Sequence, residues 1–215
     1  MDLLYFLRDK LHFIESMYAK ATATFVETKR KIENSEDEFD YSGSDPESFD
    51  GEPPFLTEWQ EADEAVNLLG QACLSLVQSA LKEYLDGCLF VTRSEKPQRK
   101  GKESWFDAYQ RFFYEQFGID WTQSPVQLTL IEEINLARND AQHTGREFGM
   151  TRYQDVRHQE RFPKGLFADA TFAEMADRSP WMGPVALRVT ADGFQEAIKR
   201  VLDFCSFIDE RRPWS

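Results

Sequence analysis

Apolar residues return every three or four positions along most of this chain, the period of helices that bury one side. Leu3, Leu4, Phe6, Leu7, Leu11, Ile14, Met17, Tyr18, Ala21, Phe25 and Ile32 predict a first helix over 2–33, with Asp2 as its cap. Thr57 and Gln60 have capping-box spacing, which predicts a second long helix from there to about Val91. Its apolar face runs from Trp59 and Ala62 through Cys73, Val77 and Leu81 to Cys88. Gly70 within it costs about 1 kcal/mol relative to alanine, so close packing of another helix is expected there. Two long helices joined by a loop are the frame of a bundle.

A third helix is expected from Ser104 to Phe117–Gly118. It carries Trp105, Phe106, Tyr109, Phe112, Phe113 and Phe117, a composition that fills a core, although aromatic rings also stack on bases. For the fourth, Ser124 is the expected N-cap, Pro125 suits the first position and Gln127 completes a capping box. Val126, Leu130, Ile131, Ile134, Ala137 and Ala141 form its buried stripe, and Thr144–Gly145 closes it. Beyond Gly145 the pattern loosens. Residues 171–177 predict a short helix, 185–190 alternate like a strand, and Thr190 is expected to cap a last helix over 191–210. The strand would pair around 161–167 or with a second subunit. The expected fold is mainly α, with four or five helices and a small C-terminal strand element. Residues 1–145 would form the helical core, and 146–215 an extension whose final helix packs on it.

Charge changes this picture in one place. The chain has 38 acidic and 25 basic side chains, a net charge of −13. Thirteen of the acids fall between Glu33 and Glu64, where there is no Lys or Arg, leaving 25 against 25 elsewhere. Segment 34–56 therefore reads as a solvated acidic loop anchored by Phe39, Tyr41, Phe49 and Phe55, or else an arm for a partner. Whole-chain acidity does not exclude a polyanion, because local fields steer ligands. Cys73, Cys88 and Cys205 lie in apolar helical context without metal-ligand spacing and read as buried thiols in a reducing cytosol. No apolar run approaches the ~20 residues of a membrane span, and the charged start is unlike a signal peptide.

Candidate chemistry is concentrated at the close of the fourth helix, in Arg138-Asn139-Asp140-Ala141-Gln142-His143. A fixed cation, an amide, a carboxylate and an imidazole share two turns. The Arg138-to-His143 spacing resembles the Arg-x4–6-His motif of the HEPN domain family. A second pair, Arg152 and His158, lies past the helix stop and lacks that setting. The resemblance covers about residues 1–145. It implies a HEPN-like helical bundle and a metal-independent endoribonuclease acting as a toxin or defence effector. It further implies a homodimer with one shared cleft, and a partner antitoxin, often a small nucleotidyltransferase, for which loop 34–56 is a candidate contact. No cofactor and no metal are expected.

Cleavage of RNA without metal requires a base for the 2′-hydroxyl proton, an acid for the leaving 5′ oxygen, and a cation for the charged transition state. Histidine serves either proton transfer, and arginine presents donors to phosphate. Arg138 and His143 are the expected catalytic pair and Asn139 the positioning residue. On an ideal helix Arg138 and His143 stand about 140° apart, while Asn139 and His143 share a face. The helix dipole favours imidazolium at position 143 by ~0.3–1 kcal/mol. Arg93, Lys96, Arg99, Lys100 and Lys102 offer a patch for an RNA backbone, or simply a solvated loop. Two other readings stay open: a non-catalytic HEPN-like dimerisation or binding module, and a nucleotide-binding regulator that uses the same arginine.

Overall fold

A computed structural model of the chain describes residues 2–41, 53–143, 165–167 and 187–212, without the side chains of 140–143. It is mainly helical. α1 spans Leu3–Asn34, α2 Leu56–Val91, α3 Trp105–Phe117, α4 Leu128–His143 and α5 Ala191–Glu210. Three helix starts follow from local hydrogen bonding. Asp2 accepts from the Tyr5 amide, Ser104 and Asp107 form a reciprocal capping box, and Thr190 accepts from the Gly193 amide. Gly118 ends α3 at φ 68°, a left-handed conformation that costs a side-chain-bearing residue more.

Two helix starts differ from expectation. α2 begins at Leu56, one residue before Thr57, and its cap position is Phe55 at φ 56° with no side-chain cap. The Phe55 ring packs edge-on against Phe39 at 5.1 Å, so aromatic contact, rather than a threonine hydroxyl, fixes the entry. α4 begins at Leu128, and Ser124 instead follows a 3-10 turn over Trp121–Gln123, its hydroxyl accepting from the Val126 amide at 3.1 Å. Trp121 explains the turn. Its ring is fully buried among Phe106, Phe113 and Phe204, with centroids 4.9–5.3 Å apart.

α1 and α2 lie antiparallel, since Lys10 reaches Glu83 and Lys29 reaches Asp63. α1 buries Leu7, Leu11, Ile14 and Tyr18, while Phe6 and Phe13 face outward at 58% and 66% exposure. Phe6 thus departs from the expected stripe. α4 and α5 both pack on α2. Tyr84 donates to the Cys205 carbonyl at 3.0 Å, and Tyr18 stacks on Phe194 at 4.5 Å, so α5 belongs to the same core as α1 and α2. The cysteines are free and buried.

Among the described residues there is no strand. Leu187 makes a single bridge, and the polar atoms of 187–189 are met largely from a helix. Asn67 donates to the Leu187 carbonyl at 3.4 Å and accepts from the Val189 amide at 3.0 Å, while Arg188 donates to the Phe167 carbonyl at 2.9 Å. Side-chain amides of α2 do part of what a neighbouring strand would do. This segment also explains Gly70, where an added Cβ would lie 2.8 Å from Val189, so the close neighbour is an extended segment and not a helix. Residues 42–52, 144–164, 168–186 and 213–215, with the predicted helix 171–177, the pair Arg152 and His158, and most of the acidic loop, lie outside the described residues. No described helix is long and apolar enough to cross a membrane.

Candidate functional site

α4 buries Ile131, Ile134 and Ala137 completely against the core, which turns the intervening polar positions to its other sides. Arg138 is half-buried, and its Nη1 donates to the Asn139 Oδ1 at 3.0 Å. The arginine fork is thereby drawn toward the face that Asn139 occupies. The Nε of Arg138 is buried without a partner among the described residues. Position 143 is the last residue of α4, one turn beyond Asn139, and the His143 side chain lies outside the described residues. Arg138 and Asn139 are thus joined by a bond between neighbours in the chain, and the helix runs on through position 143.

Asn139 borders a cleft of about 170 Å3 between α4 and the first turn of α3. Its other walls are Ser104, Trp105, Phe106, Asp107, Glu132, Asn135 and Leu136. Glu132, Asn135 and Asn139 follow one another at three and four residues, a polar stripe down one side of α4. Asn135 is only 8% exposed, and both its Nδ2 and Oδ1 lack a partner among the described residues. A buried polar group left unpaired costs about 1–3 kcal/mol, so such a group calls for a physical account. Glu133, 1% exposed on the core side, accepts from the Phe167 amide at 3.4 Å and ties α4 to the segment before α5.

The sequence reading did not single out Glu132, Asn135 or the α3 cap as site residues. The 132–135–139 spacing was the available signal, but nothing local links it to Ser104 and Trp105, some thirty residues earlier.

The basic loop is partly neutralised from within. Lys96 pairs with Asp86 at 2.8 Å, and the Arg99 Nε donates to the Glu103 carbonyl at 2.9 Å. The Arg111 guanidinium, helped by the Lys100 amide, holds the Glu103 carboxyl down at about 2, so this loop anchor stays ionised at neutral pH. Burial pushes the Asp86 carboxyl up, but the hydrogen bonds from Lys96 and Tyr109 outweigh it and leave Asp86 below its ordinary value. Asp86 thus pins both the loop and α3 to α2. Arg93, Lys100 and Lys102 carry no salt bridge among the described residues, and Lys102 stands two residues before Ser104 on the cleft wall. Among the described residues no group of His, Cys, Asp and Glu has metal-holding geometry. Comparison with family models, curated proteins and solved structures gives no match for this chain.

Proposed function

We propose that the end of α4 is the working part of a HEPN-like endoribonuclease, with Arg138 and His143 catalytic and Asn139 positioning. The observation that carries this reading is the hydrogen bond from Arg138 to Asn139 on the border of a cleft, with position 143 one turn further along. A purely structural arginine at the helix end would turn to the last carbonyls. Here it is held by the neighbouring amide, with further donors left for a phosphate oxygen.

In the proposed reaction a base takes the 2′-hydroxyl proton and the 2′ oxygen attacks phosphorus. The bond to the 5′ oxygen breaks, and an acid returns a proton to that oxygen. The products are a 2′,3′-cyclic phosphate and a free 5′-hydroxyl. Arg138 stabilises the charge gathering on the phosphoryl oxygens. One histidine cannot be base and acid in the same step, so a second protomer supplies the other His143 across a shared cleft. An inhibitor protein would hold the activity in check.

The test is incubation of the purified chain with a mixed-sequence RNA in chelator, beside Arg138→Ala and His143→Ala. Cleavage by the parent, with cyclic-phosphate ends and at least about a hundred-fold loss in each variant, is the expected result. Absence of cleavage by a folded, dimeric parent overturns it and favours a binding module.

A further inference from the structure

We propose that the cleft between α3 and α4 is a docking slot for an extended polypeptide segment of a partner protein, held by its backbone through Asn135 and Asn139. This goes beyond the nuclease reading and does not rest on it. Asn135 is the starting point. It is 8% exposed and lines the cleft, and neither its Nδ2 nor its Oδ1 has a partner among the described residues. Asn139 lies one turn further along the same wall, where its Oδ1 accepts from Arg138 and its Nδ2 hydrogens stay unbonded among the described residues. Glu132 already has a partner, and Asp107 is committed to the Ser104 capping box. The two amides therefore hold the polar recognition that remains in the cleft.

The same arrangement is occupied elsewhere in this fold. On α2, Asn67 and Gln71 are also four residues apart. Asn67 donates to the Leu187 carbonyl and accepts from the Val189 amide, and Gln71 donates to the same carbonyl at 3.4 Å. A pair of helix amides thus grips an extended segment by its backbone. Spacing explains why. Residues four apart on a helix are separated by about 6 Å along its axis. An extended chain repeats the polar groups of one edge every two residues, at about 6.6–6.8 Å. Asn135 and Asn139 have the same rise, and Asn135 is unbonded. A nucleobase matches them less well, because one base engages one amide, and no Lys or Arg lines the cleft to meet its phosphate. The cleft, at about 170 Å3, is below the roughly 300–1,000 Å3 of a site for a drug-sized ligand. Trp105, Phe106 and Leu136 give it an apolar side, so the segment brings an apolar residue to that side.

The experiment pans a phage-displayed library of random linear twelve-residue peptides on the full chain, with Asn135→Leu as counter-target. That variant removes the amide with little change in volume, and its melting temperature is expected to hold or rise, because no bond is lost. Selected peptides, resynthesised with a fluorophore, are expected to bind the parent about ten-fold or more tighter than Asn135→Leu by anisotropy. The backbone nitrogens of the peptide are then methylated one at a time. One position is expected to cost about ten-fold against the parent and to have little effect against Asn135→Leu. Failure to select any peptide, or peptide binding that ignores Asn135, overturns the proposal. So does a fluorescent 2′-O-methyl uridine ten-mer that depends on Asn135 where the peptides do not, because the cleft then seats a base. Cleavage of RNA by the parent, or its absence, does not alter these outcomes, so the two tests fail separately.

Discussion

Asn67 offers the sharpest test of how the last part of the chain is tied to α2. Its side chain is 9% exposed and spans two backbone groups of the extended segment, the Leu187 carbonyl and the Val189 amide. In Asn67→Ala the Leu187 carbonyl keeps a donor, because Gln71 Nε2 also reaches it at 3.4 Å. The Val189 amide keeps none of those described, and Val189 is 1% exposed, so water does not replace the lost acceptor. An orphaned buried donor costs about 1–3 kcal/mol, and the small void adds to it, giving about 2–3 kcal/mol in all. For a chain of this size each kcal/mol moves Tm by roughly 2–4 °C, so a fall of roughly 5–10 °C is expected in circular-dichroism melts. Gln71→Ala is the control. It removes only the second donor to an already served carbonyl and is expected to cost under about 1 kcal/mol. Hydrogen exchange adds a local readout, because the Val189 amide should lose protection in Asn67→Ala before the core helices do. An unchanged Tm in Asn67→Ala, or an equal loss in Gln71→Ala, would refute the reasoning.

Asp63 is 12% exposed and joins Lys29 of α1 to Arg188. Burial pushes its carboxyl up, but the hydrogen bonds from Arg188 and Lys29 together hold it below the ordinary value, so its stabilisation is present above the unfolded pKa of about 3.9 and fades as pH falls through the lower folded value. Asp63→Asn should cost about 2 kcal/mol in urea melts at pH 7, and the gap from the parent should close below about pH 4; a gap that widens there counts against the triad. Gly70→Ala and Gly87→Ala should have opposite signs, although both gain about 1 kcal/mol of helix propensity. At Gly70 the new methyl meets Val189 at 2.8 Å and overpacking wins by about 1 kcal/mol, whereas at Gly87 it meets only the mobile tip of Leu3, and equal shifts in thermal melts would contradict this. Burial raises the Cys88 thiol to about 12 and lifts Cys73 and Cys205 above the usual cysteine value, so a thiol-reactive dye at pH 8 should label the native chain slowly and all three sites once urea unfolds it; rapid native labelling would show the packing to be looser.

How much of the site was legible differs from residue to residue. Arg138 and Asn139 stand out in the chain because a fixed cation and an amide crowd the end of an amphipathic helix. Their hydrogen bond joins adjacent residues and needs no other element. Asn135 does not stand out, since asparagine on a helix usually meets water. Only the arrival of Ser104, Trp105 and Phe106 from α3 makes it a wall of a cleft.

The sequence by itself determined where α1, α3 and α5 begin, because Asp2, Ser104 and Thr190 bond to amides three residues away and such bonds depend on no distant partner. It also determined the buried stripes, since the helical period sets which residues share a face. Tertiary structure alone decided the start of α4, where the Ser124 hydroxyl suits either a helix cap or a turn and the burial of Trp121 selects the turn. It likewise decided that 187–189 lie against α2 as well as meeting Phe167, because the alternation of apolar residues names a buried side without naming what covers it.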